Sequence, residues 1–545
     1  MSHELKFRVT NDPEALKKLY TLSGSEWSGR LSAEEYADVE VGKHQASTKD
    51  GQLMEGFYLE DVLNGTIVAS TTVKRTKGFY KDADKSSAIS SVPDPSLIGI
   101  KNVTALLVGY VFTHKSYRSK GIAGDLVKKA INYVEEEIIK EHIDKSNPAQ
   151  NDNFKSMVMT DGRLDRALAN YYLSKKYFWY LYSGVGNYYE KFGFKSYPLD
   201  VYRIPTSILR EEDKSLVHNL LQSDGSNPSV VGKKLKLLHG SKKEDRDLIS
   251  FILQSKELEI VTELNKMIFH SELSGNHKSS SSLTNVTDVL SMSKGSSNEL
   301  SPITELSSKP GGDIPQSARR KSSIHRSAVP KFAVKPTAQT LNGMFLTEEA
   351  QAKQAPDANK AVEFSDIKGA IFTNELQQKK YHIIWATFPQ NRLFILSLGE
   401  LKFDVMGSIF DPTGAANQRR RGSSFTGLNE LGGFNFQDLD ILIHTAVTVA
   451  NNRQLKDLTA IYVSVNDLPL DIPTPLLHDY FLNYLPKTFE GVHSAENESA
   501  SSDDKVKFIT DASSELNILP MVRLFGSNKH EFDLDWYSNG LWSWG

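Results

Sequence analysis

The chain reads as an α/β protein of two units: a mixed sheet flanked by helices, followed by a second α/β domain that carries a disordered insertion. Three observations predict this. Strand and helix patterns alternate through the first two hundred residues. Residues 271–340 then hold seventeen serines and a single aromatic, Phe332, too little apolar surface to fold. After them, runs with the pattern of buried strands return. The length of 545 residues agrees, because single cores rarely exceed roughly 250–300 residues.

In chain order, "LKFRV" (Leu5–Val9) is a short strand, and helical material runs from about Pro13 to His44. Two β-rich runs, "LMEGFYLEDV" and "TIVASTTVKR", meet at Asn64-Gly65, a strong hairpin signal. "NVTALLVGYVFTH" (Asn102–His114) is too apolar for a half-exposed strand and reads as central. From Ile122 the apolar positions 122, 126, 127, 130, 131, 134 and 138 form the stripe of an amphipathic helix. "KYFWYLYS" (Lys176–Ser183) is a second buried strand, and "VGNYYEKFGF" continues as a short helix ended by Gly193. Helical segments lie around Asp245–Phe269. Beyond the insertion come the strands "KYHIIWATF" and "RLFILSLGELKF", the helix "FQDLDILIHTAVTVANN" and the strand "LTAIYVSV". The partition expected is 1–205, a helical start of the extension at 206–270, the insertion at 271–340, and a C-terminal α/β domain at 341–545.

Composition excludes several classes. The 64 basic and 67 acidic side chains nearly cancel, which argues against nucleic acid and acidic membrane as partners. With no cysteine there are no disulfides, thiolate zinc sites or cysteine nucleophiles. No HExxH motif is present, and no metal is expected. No apolar run approaches the ~18 residues of a membrane span, and the first residues lack a signal-peptide core, so a cytoplasmic location is the expectation.

The stretch "RSKGIAGD" (Arg118–Asp125) carries the chemistry. It joins a buried strand to a helix, and unpaired N–H groups at a helix start point at anions. It is not GxxxxGK followed by Ser or Thr, and it departs from GxGxxG. It does fill Arg/Gln-x-x-Gly-x-Gly/Ala with Arg118, Gly121 and Ala123. A tight turn that merely packs a helix on a sheet is the plain alternative for the hexapeptide alone.

That pattern resembles the acetyl-CoA loop of the GNAT acetyltransferase superfamily, and "YYEKFGF" resembles the same family's Tyr-x-x-x-Gly-Phe signature through Tyr189, Gly193 and Phe194. The likeness spans roughly residues 1–205 and implies a GNAT-like sheet. It implies that the strand Leu106–Thr113 is splayed from its neighbour and pairs with pantetheine, with Phe112 and Thr113 at its end. A carbonyl-polarising N–H is implied near Phe112. The N–H groups from Ser119 through Lys120, Gly121, Ile122, Ala123 and Gly124 would cradle the pyrophosphate, with Arg118 and Lys120 adding charge. Tyr189 matches the family's general acid. "EWSGRLSAEEY", "LYSGVGNYYEKFGF" and "WYSNGLWSWG" together resemble the fungal lysine N-epsilon-acetyltransferases, which acetylate free L-lysine as the first step of its catabolism. Another amine (a polyamine or a protein lysine) and a non-catalytic regulatory role remain open alternatives.

Acetyl transfer needs a neutral amine, and presenting one at pH 7 from a lysine pKa near 10.4 costs about 4.6 kcal/mol. A base or desolvation must meet that cost, and the candidate acids are Glu26, Glu34, Glu35 and Asp38. The same four residues fit a solvated helix face. "RRKSS" and "RRRGSS" place Ser322 and Ser423 after arginines, as basophilic kinases prefer, though both also fit solvated basic loops.

Overall fold

The computed structural model describes residues 4–82, 100–145, 154–208, 217–221, 232–275, 329–388, 392–401, 436–453, 458–469, 472–486 and 505–544. Among them are two large sheets. Strands β1 (Leu5–Thr10), β2 (Met54–Asp61), β3 (Thr66–Lys81) and β4 (Ile100–Thr113) form an antiparallel run. After the short hairpin β5 (Met159–Thr160) and β6 (Arg163–Leu164), strand β7 (Tyr177–Ser183) lies parallel to β4. Further along the chain come β8 (Lys195–Ser196), β9 (Val201–Pro205), β10 (Lys233–His239), β11 (Lys331–Val334), β12 (Ile367–Asn374), β13 (Lys379–Phe388), β14 (Arg392–Glu400), β15 (Ala460–Ser464), β16 (Lys507–Ile509), β17 (Leu519–Leu524) and β18 (Asp535–Trp536). The first sheet has the order β1-β2-β3-β4-β7-β17-β8, with β11 added beside β3 and β18 beside β11; the second is β10-β12-β13-β14-β15-β9-β16.

These memberships differ from the expected partition. Strand β9 ends at residue 205 yet pairs with β15 in the second sheet, while β17, more than three hundred residues later, pairs with β7 in the first. The segment 206–270 is not helical throughout, because β10 lies within it. The expected insertion is also too long at its C-terminal end. Lys331–Val334 pairs with β3, and Phe332 is fully buried against Phe178 of β7. Four apolar-leaning residues are too few to register against a serine-rich background, but they complete an existing sheet edge. Residues 276–328 lie outside the described residues, and so do Ser322 and Ser423.

Helices α1 (Pro13–Trp27) and α2 (Ala33–Lys49) start at side-chain caps. The Asp12 carboxylate accepts the Ala15 N–H (2.9 Å), and Ser32 with Glu35 forms a capping box. The pair buries Leu16, Leu19, Tyr20, Tyr36 and Ala37 between its two members and the sheet. On the other face α3 (Ile122–Lys145) buries the predicted stripe Leu126, Val127, Ala130, Ile131, Val134 and Ile138. Short helices α4 (Phe154–Val158) and α5 (Arg166–Leu173) follow. The extension contributes α6 (Lys243–Gly275), α7 (Ala338–Lys353), α8 (Ala358–Asp366) and α9 (Phe436–Asn452). One core runs between the sheets, uniting Phe178 and Tyr180 of β7 with Ile384 of β13, Phe394 of β14, Trp536 and Trp542. The extension therefore backs the first sheet directly. No helix among the described residues is long and apolar enough to cross a membrane.

Candidate active site

The site is built where β4 and β7 part. Their parallel pairing covers only Thr104–Leu107 against Tyr177–Tyr180, although β4 runs on to Thr113 and β7 to Ser183. Among the described residues no strand pairs with the β7-facing edge of β4 beyond Leu107, and that edge is open. A bulge lies in that open part. Thr72 pairs with Gly109 but Ser70 pairs with Phe112, so Tyr110 and Val111 share Thr71 as their opposite residue. Tyr110 takes the left-handed φ of 53° there.

The bulge decides which N–H faces the gap. The His114 N–H donates to the Val68 carbonyl (2.9 Å), so His114–Val68 and, two residues back, Phe112–Ser70 are hydrogen-bonded pairs. The Phe112 N–H therefore turns toward β3. The N–H aimed at the open side is that of Val111, next to Phe112, near which the family resemblance places it. A bulge leaves little local signal, so the sequence does not show which N–H that is.

After β4 the chain makes a 3₁₀ turn, Lys115–Tyr117, pinned by the Tyr117 hydroxyl donating to Asp61 (2.9 Å). Ser119 (φ 62°) and Gly121 (φ 75°) then take left-handed conformations, and α3 begins at Ile122. Among the described residues the N–H groups of Ser119, Lys120 and Gly121 have no hydrogen-bond partner, and those of Ile122, Ala123 and Gly124 lie in the helix's unsatisfied first turn. A Cβ added at Gly121 would meet nothing within 4 Å. The Thr113 hydroxyl is buried and likewise without a partner among the described residues. Six free donors around an open, left-handed turn fit a pyrophosphate. Gly124 has a different reason for being small. A Cβ there would come within 2.9 Å of the Phe192 ring and 3.2 Å of the Tyr188 hydroxyl. The residue admits the helical turn Gly186–Phe192, and with it Tyr189, against the start of α3.

Tyr189 is 6% exposed, and its hydroxyl makes no hydrogen bond among the described residues. Burial, with the neighbouring Tyr188, pushes its phenol well above the ordinary tyrosine range, so it carries its proton at neutral pH. Arg118 lies over the Phe112 ring (5.2 Å), donates to the Thr113 carbonyl (3.0 Å), and pairs with Glu26 (2.6 Å). Trp27 meets the same Phe112 ring edge-on at 5.2 Å. Lys120 sits over Tyr117 (5.1 Å).

Of the four candidate acids, three are held in other contacts and one faces solvent. Glu26 neutralises Arg118, Glu35 caps α2 and accepts from Gln354 (3.0 Å), Asp38 pairs with Lys17 (2.6 Å), and Glu34 is exposed in the first turn of α2. The acid that reaches the bulge is Glu40, 3% exposed, which accepts from the Tyr110 hydroxyl (2.5 Å) and from Lys43 (2.7 Å). A signal for it exists in the sequence: positions 36, 37, 40 and 44 form the buried stripe of α2, and an acid on such a stripe needs partners. No group of residues able to hold a metal ion occurs among the described residues.

No protein-family model matches the sequence, and no curated protein does either. Among solved structures, similar folds include a probable N-acyltransferase from Enterococcus faecalis (9% identity, 96% of this chain and 73% of that one, TM-score 0.37). A tandem GNAT protein of clavulanic acid biosynthesis also matches (8%, 96% and 99%, TM-score 0.36). So does the N-myristoyltransferase of Saccharomyces cerevisiae, solved with myristoyl-CoA (9%, 96% and 81%, TM-score 0.36). At this distance the likenesses carry no residue-by-residue correspondence, and the chemistry of the site rests on this chain's own geometry.

Proposed function

We propose that this protein is an acetyl-CoA-dependent N-acetyltransferase acting on a primary amine, with free L-lysine the acceptor favoured by the sequence resemblance. The observation that carries this reading is the cradle at Ser119–Gly124, set at the end of a strand that parts from its neighbour at Leu107. In this reading the N–H groups of 119–124 hold the pyrophosphate, and Arg118 adds charge once its pairing with Glu26 is shared or exchanged. The Val111 N–H, on the open edge of β4, stabilises negative charge on the thioester oxygen. Tyr189 gives its proton to the departing thiolate.

The test is thiol release from acetyl-CoA, assayed across free lysine, spermidine and a histone-tail peptide. Release with lysine alone is the expected result. Release only with one of the others reassigns the acceptor, and no release with any of them removes the enzymatic reading in favour of a regulatory protein.

A further inference from the structure

Four residues converge where α2, the bulge of β4 and α7 meet. Tyr110 donates its hydroxyl proton to Glu40 (2.5 Å). Lys43 donates to Glu40 (2.7 Å), to the Tyr110 oxygen (3.1 Å) and to the Thr347 hydroxyl (3.1 Å), which uses all three of its N–H bonds. A phenol has one proton and two lone pairs. At Tyr110 the proton goes to Glu40 and one lone pair takes the Lys43 N–H, so a second lone pair is left. That residue adjoins Val111, whose N–H would hold the thioester oxygen. Its ring packs against Tyr20 of α1 (5.2 Å), placing it on the face of the sheet opposite α3.

We propose that the Tyr110 hydroxyl receives the proton that the acceptor ammonium must lose, as its own proton passes to Glu40. The proposal rests on the acetyltransferase reading above. In the step, an N–H proton of the ammonium moves to the free lone pair of Tyr110 and the phenolic proton moves to Glu40 Oε2. The freed nitrogen pair forms the C–N bond to the acetyl carbon, the C–S bond breaks, and sulfur takes a proton from Tyr189. Tyr189 is reset by the second proton lost from the new amide nitrogen, and Glu40 releases the first to solvent. Tyr110 touches the substrate. Glu40 acts through it, and Lys43 and Thr347 hold the pair in place.

The charged and titratable groups around Glu40 are Tyr20 of α1, Tyr36, Lys43 and His44 of α2, Lys74 of β3 and Tyr110 of β4, while α7 contributes the Thr347 hydroxyl. Burial holds His44 below the ordinary histidine range and the tyrosines above theirs, so these do not compete for the proton near neutrality. Lys74 is the exception, pushed down to about 8 by burial and by the charge of Lys43. Its titration belongs equally to wild type and to a Tyr110 variant, so a comparison of the two cancels it.

The experiment is a pH profile of kcat/KM for wild type, Tyr110→Phe and Glu40→Gln with the amine that wild type turns over fastest. CoA affinity by calorimetry and melting curves are measured on the same proteins. Tyr110→Phe keeps the Glu40–Lys43 pair and is the variant expected to fold normally. The expected loss at pH 7 is about 100-fold, shrinking as pH approaches the ammonium pKa near 10.4, where the amine deprotonates unaided. CoA affinity stays unchanged. A loss independent of pH, or near-normal turnover in folded Tyr110→Phe, overturns the relay while leaving the acetyltransferase reading standing. An inactive wild type takes both down.

Discussion

Charge is handled in opposite ways at two places in this molecule. In the extension, Glu348 of α7 binds Lys368 (2.5 Å) and Arg453 (2.8 Å), with all three side chains at most 4% exposed. Arg453 also donates to the Ile367 carbonyl (2.6 Å) and the Thr387 hydroxyl (2.8 Å). At the cradle, Arg118 and Glu26 pair at a similar distance but are 43% and 30% exposed, beside backbone donors with no partner among the described residues. The first group is buried, and its charges are paired from within. The second holds its charge with an exposed ion pair and a hydrogen bond to the Thr113 carbonyl. Perturbed charge alone does not mark a site: burial raises the cost of Glu348's charge, yet Arg453 and Lys368 outweigh it and hold its carboxyl below the usual range, in a purely structural role.

The contrast predicts where substitutions act. Glu348→Ala strands two buried cations and is expected to cost about 3–5 kcal/mol of stability, read by denaturant unfolding. A change under about 1 kcal/mol there would mean the network is not closed as described. Gly121→Glu sets a carboxylate in open space against the phosphate site; the left-handed φ of 75° costs about 1–2 kcal/mol, so the fold should persist at lower stability while CoA affinity falls by at least about 100-fold. Unchanged affinity in the folded variant would remove the cradle. Tyr189→Phe keeps the ring but not the proton, and turnover should fall by at least about 100-fold, or roughly 2.7 kcal/mol. A structural tyrosine would instead lose about 1 kcal/mol of stability with turnover intact. The smallest effect is expected at Glu26→Gln. Freeing Arg118 from an exposed pair worth at most about 1 kcal/mol should tighten CoA binding by up to about fivefold, and added salt should erase the gain. Weaker binding would show that Glu26 positions Arg118 rather than competing with the phosphates.

The fold also fixes where the serine-rich segment can be cut. Removing 271–340 would delete β11, which pairs with β3 and buries Phe332. A deletion confined to 276–328 avoids every described strand.

The sequence alone determined β1, the β2–β3 hairpin, β4 and β7 as strands, the start of α3 at Ile122 and the glycine-rich turn before it. It also set Tyr189 in the helical turn just after β7. These are local properties: apolar period, capping residues and left-handed glycine positions act within a few residues of one another. Only the tertiary structure decided that β17 joins the first sheet and β9 the second, because sheet membership depends on pairing across hundreds of residues. It also decided that Val111 rather than Phe112 faces the open edge, since a bulge is defined by the partner strand's register. And it brought Glu40, an acid on the buried stripe of α2, against Tyr110 and Lys43. Four carboxylates in that region sit in water or in surface pairs. The fifth is enclosed by β4 and α7, and enclosure by distant elements gives a carboxylate its chemistry.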